Sequence, residues 1–313
     1  MTVSVLTIAS GRADHLANVI EGLCRQTLQP RELVIGVMQD APYDLPETPF
    51  PVRQIHVTGP KLPLAAARNA VANGAVGDRL IFLDVDCIPA ETLVADYAAV
   101  LTPGAGVFMG EVGYLPKGAT DGDRNDARFE ALAIRHGDRQ GPPPQGARLC
   151  NDYRCFWSLN FAMHRADWIA SGGFDERFVG YGGEDTDFGR TLDEVDVRIW
   201  WLKGAKVYHQ FHPHFMPPIH HAASVIRNAE LFGQKWGYRT MEHWLAAFRM
   251  MGLIEETPQG MRVLHALTDD DLALCRQQDN MPYASTRRVL DYLRGREARC
   301  EMAKLAAPAH AAE

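Results

Sequence analysis

Ile81-Phe82-Leu83-Asp84-Val85-Asp86-Cys87-Ile88-Pro89 puts two carboxylates two positions apart at the end of an apolar run. A strand sends alternate side chains to one face, so Asp84 and Asp86 start on the same side. Carboxylates held together repel unless a cation sits beside them. Mn2+ or Mg2+ suits oxygen donors and keeps positions open for substrate phosphates. A pair of solvated turn aspartates is the other reading, and the place after an apolar strand favours the metal.

A second group is Gly180-Tyr181-Gly182-Gly183-Glu184-Asp185-Thr186-Asp187. Acids at a helix start satisfy the helix dipole, which accounts for one or two of them. Paired glycines, which let a backbone approach a ligand, and a tyrosine beside three acids point further. They read as a base flanked by a sugar-stacking aromatic. A third group, Val207-Tyr208-His209-Gln210-Phe211-His212-Pro213-His214, offers imidazoles that suit Mn2+ or Zn2+. The fourth is Arg68 in Leu64-Ala65-Ala66-Ala67-Arg68-Asn69. It is the lone charge of a small-residue helix, set either to grip a phosphate or to form a surface salt bridge.

The elements that must hold these groups alternate. Strands are predicted at Val3–Ala9, Glu32–Met38, Gln54–Val57 and Arg79–Leu83, with helices at Ala13–Leu28 and Leu64–Asn73 between them. Such alternation predicts βαβ units and a mostly parallel sheet, with ligands at the carboxyl ends of the strands. Ala9–Gly11, Gln39-Asp40, the loop after Val57 and Asp84–Asp86 all fall at those ends. Beyond them, Thr120–Arg148 is polar and rich in glycine and proline, and reads as a loop that could close over a ligand, with one short helix around Ala127–Ile134. Cys155–Met163, Val197–Trp201 and Ala205–Tyr208 read as strands; Arg165–Ser171 and Glu184–Glu194 read as helices. From Pro218 to Leu267 the pattern is helical, with a last helix from Thr286.

Composition narrows the classes. Of 313 residues, 46% are hydrophobic and 23% charged, which excludes a largely disordered chain. A net charge of −7 argues against a general nucleic-acid binder. No run is long and apolar enough to span a membrane, and the opening Met-Thr-Val-Ser-Val-Leu lacks a signal's basic region. Cys24, Cys87, Cys150, Cys155, Cys275 and Cys300 form no Cys-x-x-Cys pair and are read as reduced thiols. The expected location is cytoplasmic, free or peripheral at the inner face of the membrane.

Read together, these motifs resemble a known family. Val3–Ala9, then Cys24-Arg25-Gln26-Thr27-Leu28-Gln29-Pro30-Arg31-Glu32-Leu33 and the strand to Asp40, are similar to the opening of family 2 glycosyltransferases of the GT-A fold. Leu83-Asp84-Val85-Asp86-Cys87-Ile88-Pro89 resembles their metal-binding D-x-D segment. Gly172-Gly173-Phe174-Asp175, continuing through Gly182-Gly183-Glu184-Asp185-Thr186-Asp187-Phe188, resembles the C-terminal half of β-1,4-galactosyltransferases and of bacterial chondroitin-type polymerases. The resemblance covers residues 1–215. It implies a catalytic domain there, with a nucleotide-sugar half at 1–110 and an acceptor half at 150–215. Residues 216–313 are left as a helical extension, for packing, partner docking or contact in a homodimer.

The resemblance also implies roles. Ala9 and Asp40 would line a uridine pocket beside Gln39. Arg68 would reach the nucleotide or diphosphate, and Asp84 and Val85 complete the nucleotide-sugar set. Asp86 and His209 would hold Mn2+ (or Mg2+), joined by Asp84 or His212. Asp185 would be the base. Glu184, with Tyr181 and Gly183, would hold the acceptor. Tyr181 replaces the usual tryptophan, and Lys206 replaces a methionine ligand. The implied reaction moves a sugar from a UDP-sugar, galactose or N-acetylgalactosamine, to a glycan hydroxyl with inversion. The rival classes are a sugar-phosphate nucleotidyltransferase, which would want a basic glycine loop after the first strand, and a non-catalytic sugar-nucleotide or glycan-binding module.

Overall fold

The computed structural model describes residues 2–59 and 62–306, with side chains through residue 299. Two compact units divide it, Met1–His212 and Pro213–Glu313. The first contains β1 (Val3–Ala9), α1 (Ala13–Cys24), β2 (Glu32–Val37), β3 (Val52–His56), α2 (Leu64–Gly74) and β4 (Arg79–Asp84). It continues with β5 (Cys87–Pro89), α3 (Leu93–Val100), β6 (Val107–Met109), β7 (Val112–Tyr114), α4 (Asp126–Leu132) and β8 (Ala147–Leu149). It ends with β9 (Asn160–His164), α5 (Arg165–Ser171), α6 (Glu184–Glu194), β10 (Ile199–Leu202) and β11 (Val207–His209).

Eight strands form one sheet in the order β3-β2-β1-β4-β9-β6-β10-β8. The strands β1 to β4 run parallel, with Ile8 opposite both Gly36 and Asp84. β9 enters antiparallel between β4 and β6. Every residue of β1 and β2 is buried, as expected of β-branched runs covered on both faces. Helix α2 can lie close because its sheet-facing residues are small. A Cβ on Gly36 would meet Val71 Cγ1 at 3.1 Å. Below α6 lies an aromatic core in which Phe82 stacks on Phe161 at 4.4 Å and Phe174 on Phe188 at 4.2 Å.

A second sheet, β5-β11-β7, was not expected, because three-residue strands show no period. Two expected boundaries also move. The first helix stops at Cys24 rather than running to Leu28. The strand expected at Cys155–Met163 is confined to β9, because Tyr153–Cys155 coils into a 3-10 turn whose start is capped by the Asp152 side chain.

The second unit holds α7 (Ala222–Trp236), α8 (Glu242–Met250), the hairpin β12 (Ile254–Thr257) and β13 (Gly260–Val263), α9 (Asp269–Cys275) and α10 (Thr286–Ala306). It has its own core, with Val225, Ile226, Leu245, Phe248 and Leu293 buried. The hairpin corrects the helical reading to Leu267. Gly252 and Gly260, at φ 72° and 120°, break the helix and turn the chain, and Ile254 pairs with Val263.

Candidate active site

Beyond Asp84 a turn carries Val85 and Asp86 into β5. The small sheet sets His209 opposite both Cys87 and Tyr114. The backbone N–H of Gln210 donates to the Asp86 carbonyl at 2.7 Å, and the Gln210 side chain accepts from Asn18 Nδ2 at 2.7 Å. The aspartate turn is therefore tied to the histidine strand. The His209 ring stacks on Tyr114 at 4.8 Å and stands 5.4 Å from the His212 ring.

Ligand atoms of Asp86, His209 and His212 lie within 4.8 Å of one another. Asp86 Oδ1 is sealed from solvent and accepts no hydrogen bond. Its Oδ2 faces His212 Nε2 at 3.3 Å and is ion-paired to Arg12. Burial pushes this carboxyl's pKa up, but His212, His209 and Arg12 outweigh that and hold it below the usual carboxylate range. One buried anionic oxygen with two imidazoles fits a divalent cation. Asp84 does not join this group. Its expected common face with Asp86 is lost because the turn rotates Asp86 away while Asp84 faces Arg68.

Arg68 on α2 is no surface charge, since it is 5% exposed. Its Nη2 lies 3.4 Å from Asp84 Oδ1, and its Nη1 lies 3.7 Å from both Glu184 Oε1 and Asp185 Oδ1. One guanidinium thus joins the two acid motifs, with the Phe174 ring 5.3 Å away. Gly182 and Gly183, both at φ 92°, make the left-handed turn that starts α6, a conformation costly for other residues. The Ser158 N–H donates to Asp185 Oδ2 at 2.9 Å. Asp185 Oδ1 is buried without a hydrogen bond.

Burial, with Asp185 beside it, raises the Glu184 carboxyl pKa to about 7, against the pull of Arg68. Burial raises Asp84 to about 6, with Arg68 opposing and Asp185 and Asp86 adding. Burial disfavours the Arg68 charge, but Asp185, Asp84 and Glu184 outweigh it and raise that group's pKa. Tyr181, half-buried before the turn, has its hydroxyl pushed up by burial and then by Glu184 and Asp185.

At the carboxyl ends of the first two strands, Ala9 is buried at the last position of β1, and Asp40 is exposed after β2. The Gln39 side chain accepts from the Gly11 N–H at 2.8 Å and donates to the Ala41 carbonyl at 2.9 Å. Lys206, at the missing methionine, pairs with Glu130. A cavity of about 360 Å3, lined in part by Glu111, Glu130, Arg135 and Lys206, lies along the segment expected to be a loop. Sequence reasoning missed Arg12 and also Ser158, whose backbone contact leaves no side-chain signature.

The comparisons with known proteins agree with this architecture. Residues 146–213 match the family described as the N-terminal domain of galactosyltransferase. A validoxylamine A glucosyltransferase of Streptomyces hygroscopicus subsp. jinggangensis (strain 5008) is 28% identical over 141 residues, covering 38% of this chain and 33% of that protein. A chondroitin synthase of Escherichia coli is 35% identical over 92 residues, covering 29% of this chain and 13% of that protein. The chain thus spans a third or less of these relatives. Among solved structures, GalNAc-T7 with UDP, GalNAc and Mn2+ superposes with a TM-score of 0.50 at 16% identity, covering 68% of this chain and 44% of that one. The chain has a GT-A-type α/β fold. It resembles galactosyltransferases and chondroitin-type polymerases.

Proposed function

We propose that the first unit is an inverting, divalent-metal-dependent glycosyltransferase that moves a sugar from a UDP-sugar to an acceptor hydroxyl. The observation that carries this is Arg68, which draws Asp84 and the Glu184-Asp185 pair into one cleft. Asp86, His209 and His212 form the adjoining cation set. UDP as the nucleotide follows from the resemblance, as does galactose or N-acetylgalactosamine as the sugar.

In this reading Asp86, His209 and His212 hold Mn2+ or a similar ion. When bound, that ion neutralises charge developing on the departing diphosphate. Ala9, Gln39 and Asp40 border the base and ribose at the strand ends, where a parallel sheet receives its ligand. Asp185 takes the proton of the acceptor hydroxyl, which is a weak nucleophile at neutral pH. The Ser158 N–H fixes one oxygen of Asp185 and leaves the other for that proton. Glu184 and the Tyr181 ring orient the acceptor sugar. Attack from the side opposite the diphosphate inverts the anomeric carbon without a covalent enzyme intermediate.

The test is UDP release from UDP-sugars. Release should require both Mn2+ and an acceptor. Asp185→Asn should keep UDP binding and lose turnover by about 100-fold, the scale of a lost general base. Undiminished turnover in that variant would remove Asp185 from the mechanism.

A further inference from the structure

Arg12 has no part in the scheme above, yet its guanidinium stands where a cation would be held. Its Nη1 donates to Asp86 Oδ2, and its Nη2 donates to His212 Nδ1 at 3.3 Å. These partners are two of the three residues of the cation set. The tautomer of His212 that accepts at Nδ1 carries its proton on Nε2, toward Asp86 Oδ2. The pair therefore forms a closed array with Arg12, in which the positive charge is the guanidinium.

The backbone is built to place it there. Arg12 is left-handed at φ 53° and ψ 39°, a strained state for a residue with a side chain. Gly11 before it is also at positive φ, 63°. Two side chains brace this turn: Gln39 accepts the Gly11 N–H, and the Tyr43 hydroxyl donates to the Gly11 carbonyl at 2.7 Å. The side chain of Arg12 remains 39% exposed, so it has room to leave.

We infer that Arg12 is a built-in counter-cation of this site: it holds Asp86 and His212 while no nucleotide is bound, and a divalent ion binds there only by displacing it. The inference rests on the metal-dependent reading above. The released guanidinium stays at the carboxyl end of β1, where a diphosphate would lie, and a guanidinium grips phosphate oxygens with two parallel hydrogen bonds. Nucleotide and metal then favour each other, because the nucleotide occupies the group that competes with the metal.

The experiment is Mn2+ titration followed by the electron paramagnetic resonance of the free ion, with and without UDP. The proteins are the wild type, Arg12→Gly and Arg12→Lys, each checked for folding by circular dichroism. Glycine suits the left-handed backbone, so the turn is retained. Without UDP, Arg12→Gly should bind Mn2+ about fivefold more tightly than the wild type, the scale of a partly exposed ion pair. UDP should then improve Mn2+ binding less in Arg12→Gly than in the wild type, and Arg12→Lys should stay near the wild type. Equal or weaker Mn2+ binding by Arg12→Gly overturns the inference and leaves the metal site standing. No Mn2+ binding by any of the three, with UDP or without, overturns the metal reading itself.

Discussion

At the end of β4, Asp86 sits among Arg12, His209 and His212; at the start of α6, Glu184 shares one guanidinium with Asp185 and Asp84. The first neighbourhood surrounds one carboxylate with a guanidinium and two imidazoles, and its carboxyl pKa is pushed down. The second gathers three carboxylates around Arg68, and two of them, Asp84 and Glu184, are pushed up to about 6 and about 7. Two acid motifs of similar composition thus hold their charge differently. One keeps its carboxyl ionised, while in the other burial and crowding favour the protonated forms of Asp84 and Glu184.

The largest effect expected from this contrast is at Asp86. Asp86→Asn should lower metal-dependent turnover by on the order of 1,000-fold, since the anionic ligand is gone. Its stability should fall modestly near neutral pH, because the amide loses what His212, His209 and Arg12 give the ionised carboxyl, while the freed Arg12 is partly exposed and can be solvated. A collapse in melting temperature matching the loss of turnover would show that the pairing is structural.

Arg68→Met should act the other way, on stability first. It leaves three buried or half-buried carboxylates without their shared cation, at a cost of about 3 kcal/mol near neutral pH. The cost should shrink toward about pH 5, where Asp84 and Glu184 keep their protons. Urea unfolding at both pH values measures it. A cost independent of pH would mean that the three acids do not depend on Arg68 for their charge.

This contrast could be read only in part from the sequence. β1 was legible to its ends, because Val3–Ala9 is a continuous apolar run and a strand buried on both faces has that pattern. The β12–β13 hairpin was hidden, since Ile254-Glu255-Glu256-Thr257 carries charge at its centre and sits inside a helical context. The acid motifs and the histidine run stood out as residue types. Their partners did not. That Arg68 would be buried against Glu184, rather than salt-bridged at the surface, depends on how closely α2 approaches the sheet. That Arg12 would reach Asp86 depends on a left-handed turn braced by Gln39 and Tyr43, which leaves no periodic trace.

The smallest expected effect is at Glu184 and concerns pH. The folded chain keeps this proton up to about pH 7, above the ordinary value of 4.5, because burial and Asp185 disfavour the anion. The stability that this group contributes is therefore complete below its unfolded pKa and is lost as pH rises through about 7. Glu184→Gln keeps the neutral form at every pH, so it should flatten this dependence. Wild type and variant should be alike at about pH 4, and the variant the more stable at about pH 8. Arg68 remains in the variant and still has Asp84 and Asp185, so loss of its third partner does not reverse the sign. Parallel stability curves across that range would mean that Glu184 is ionised in the folded chain. The second motif would then hold its charge as the first does.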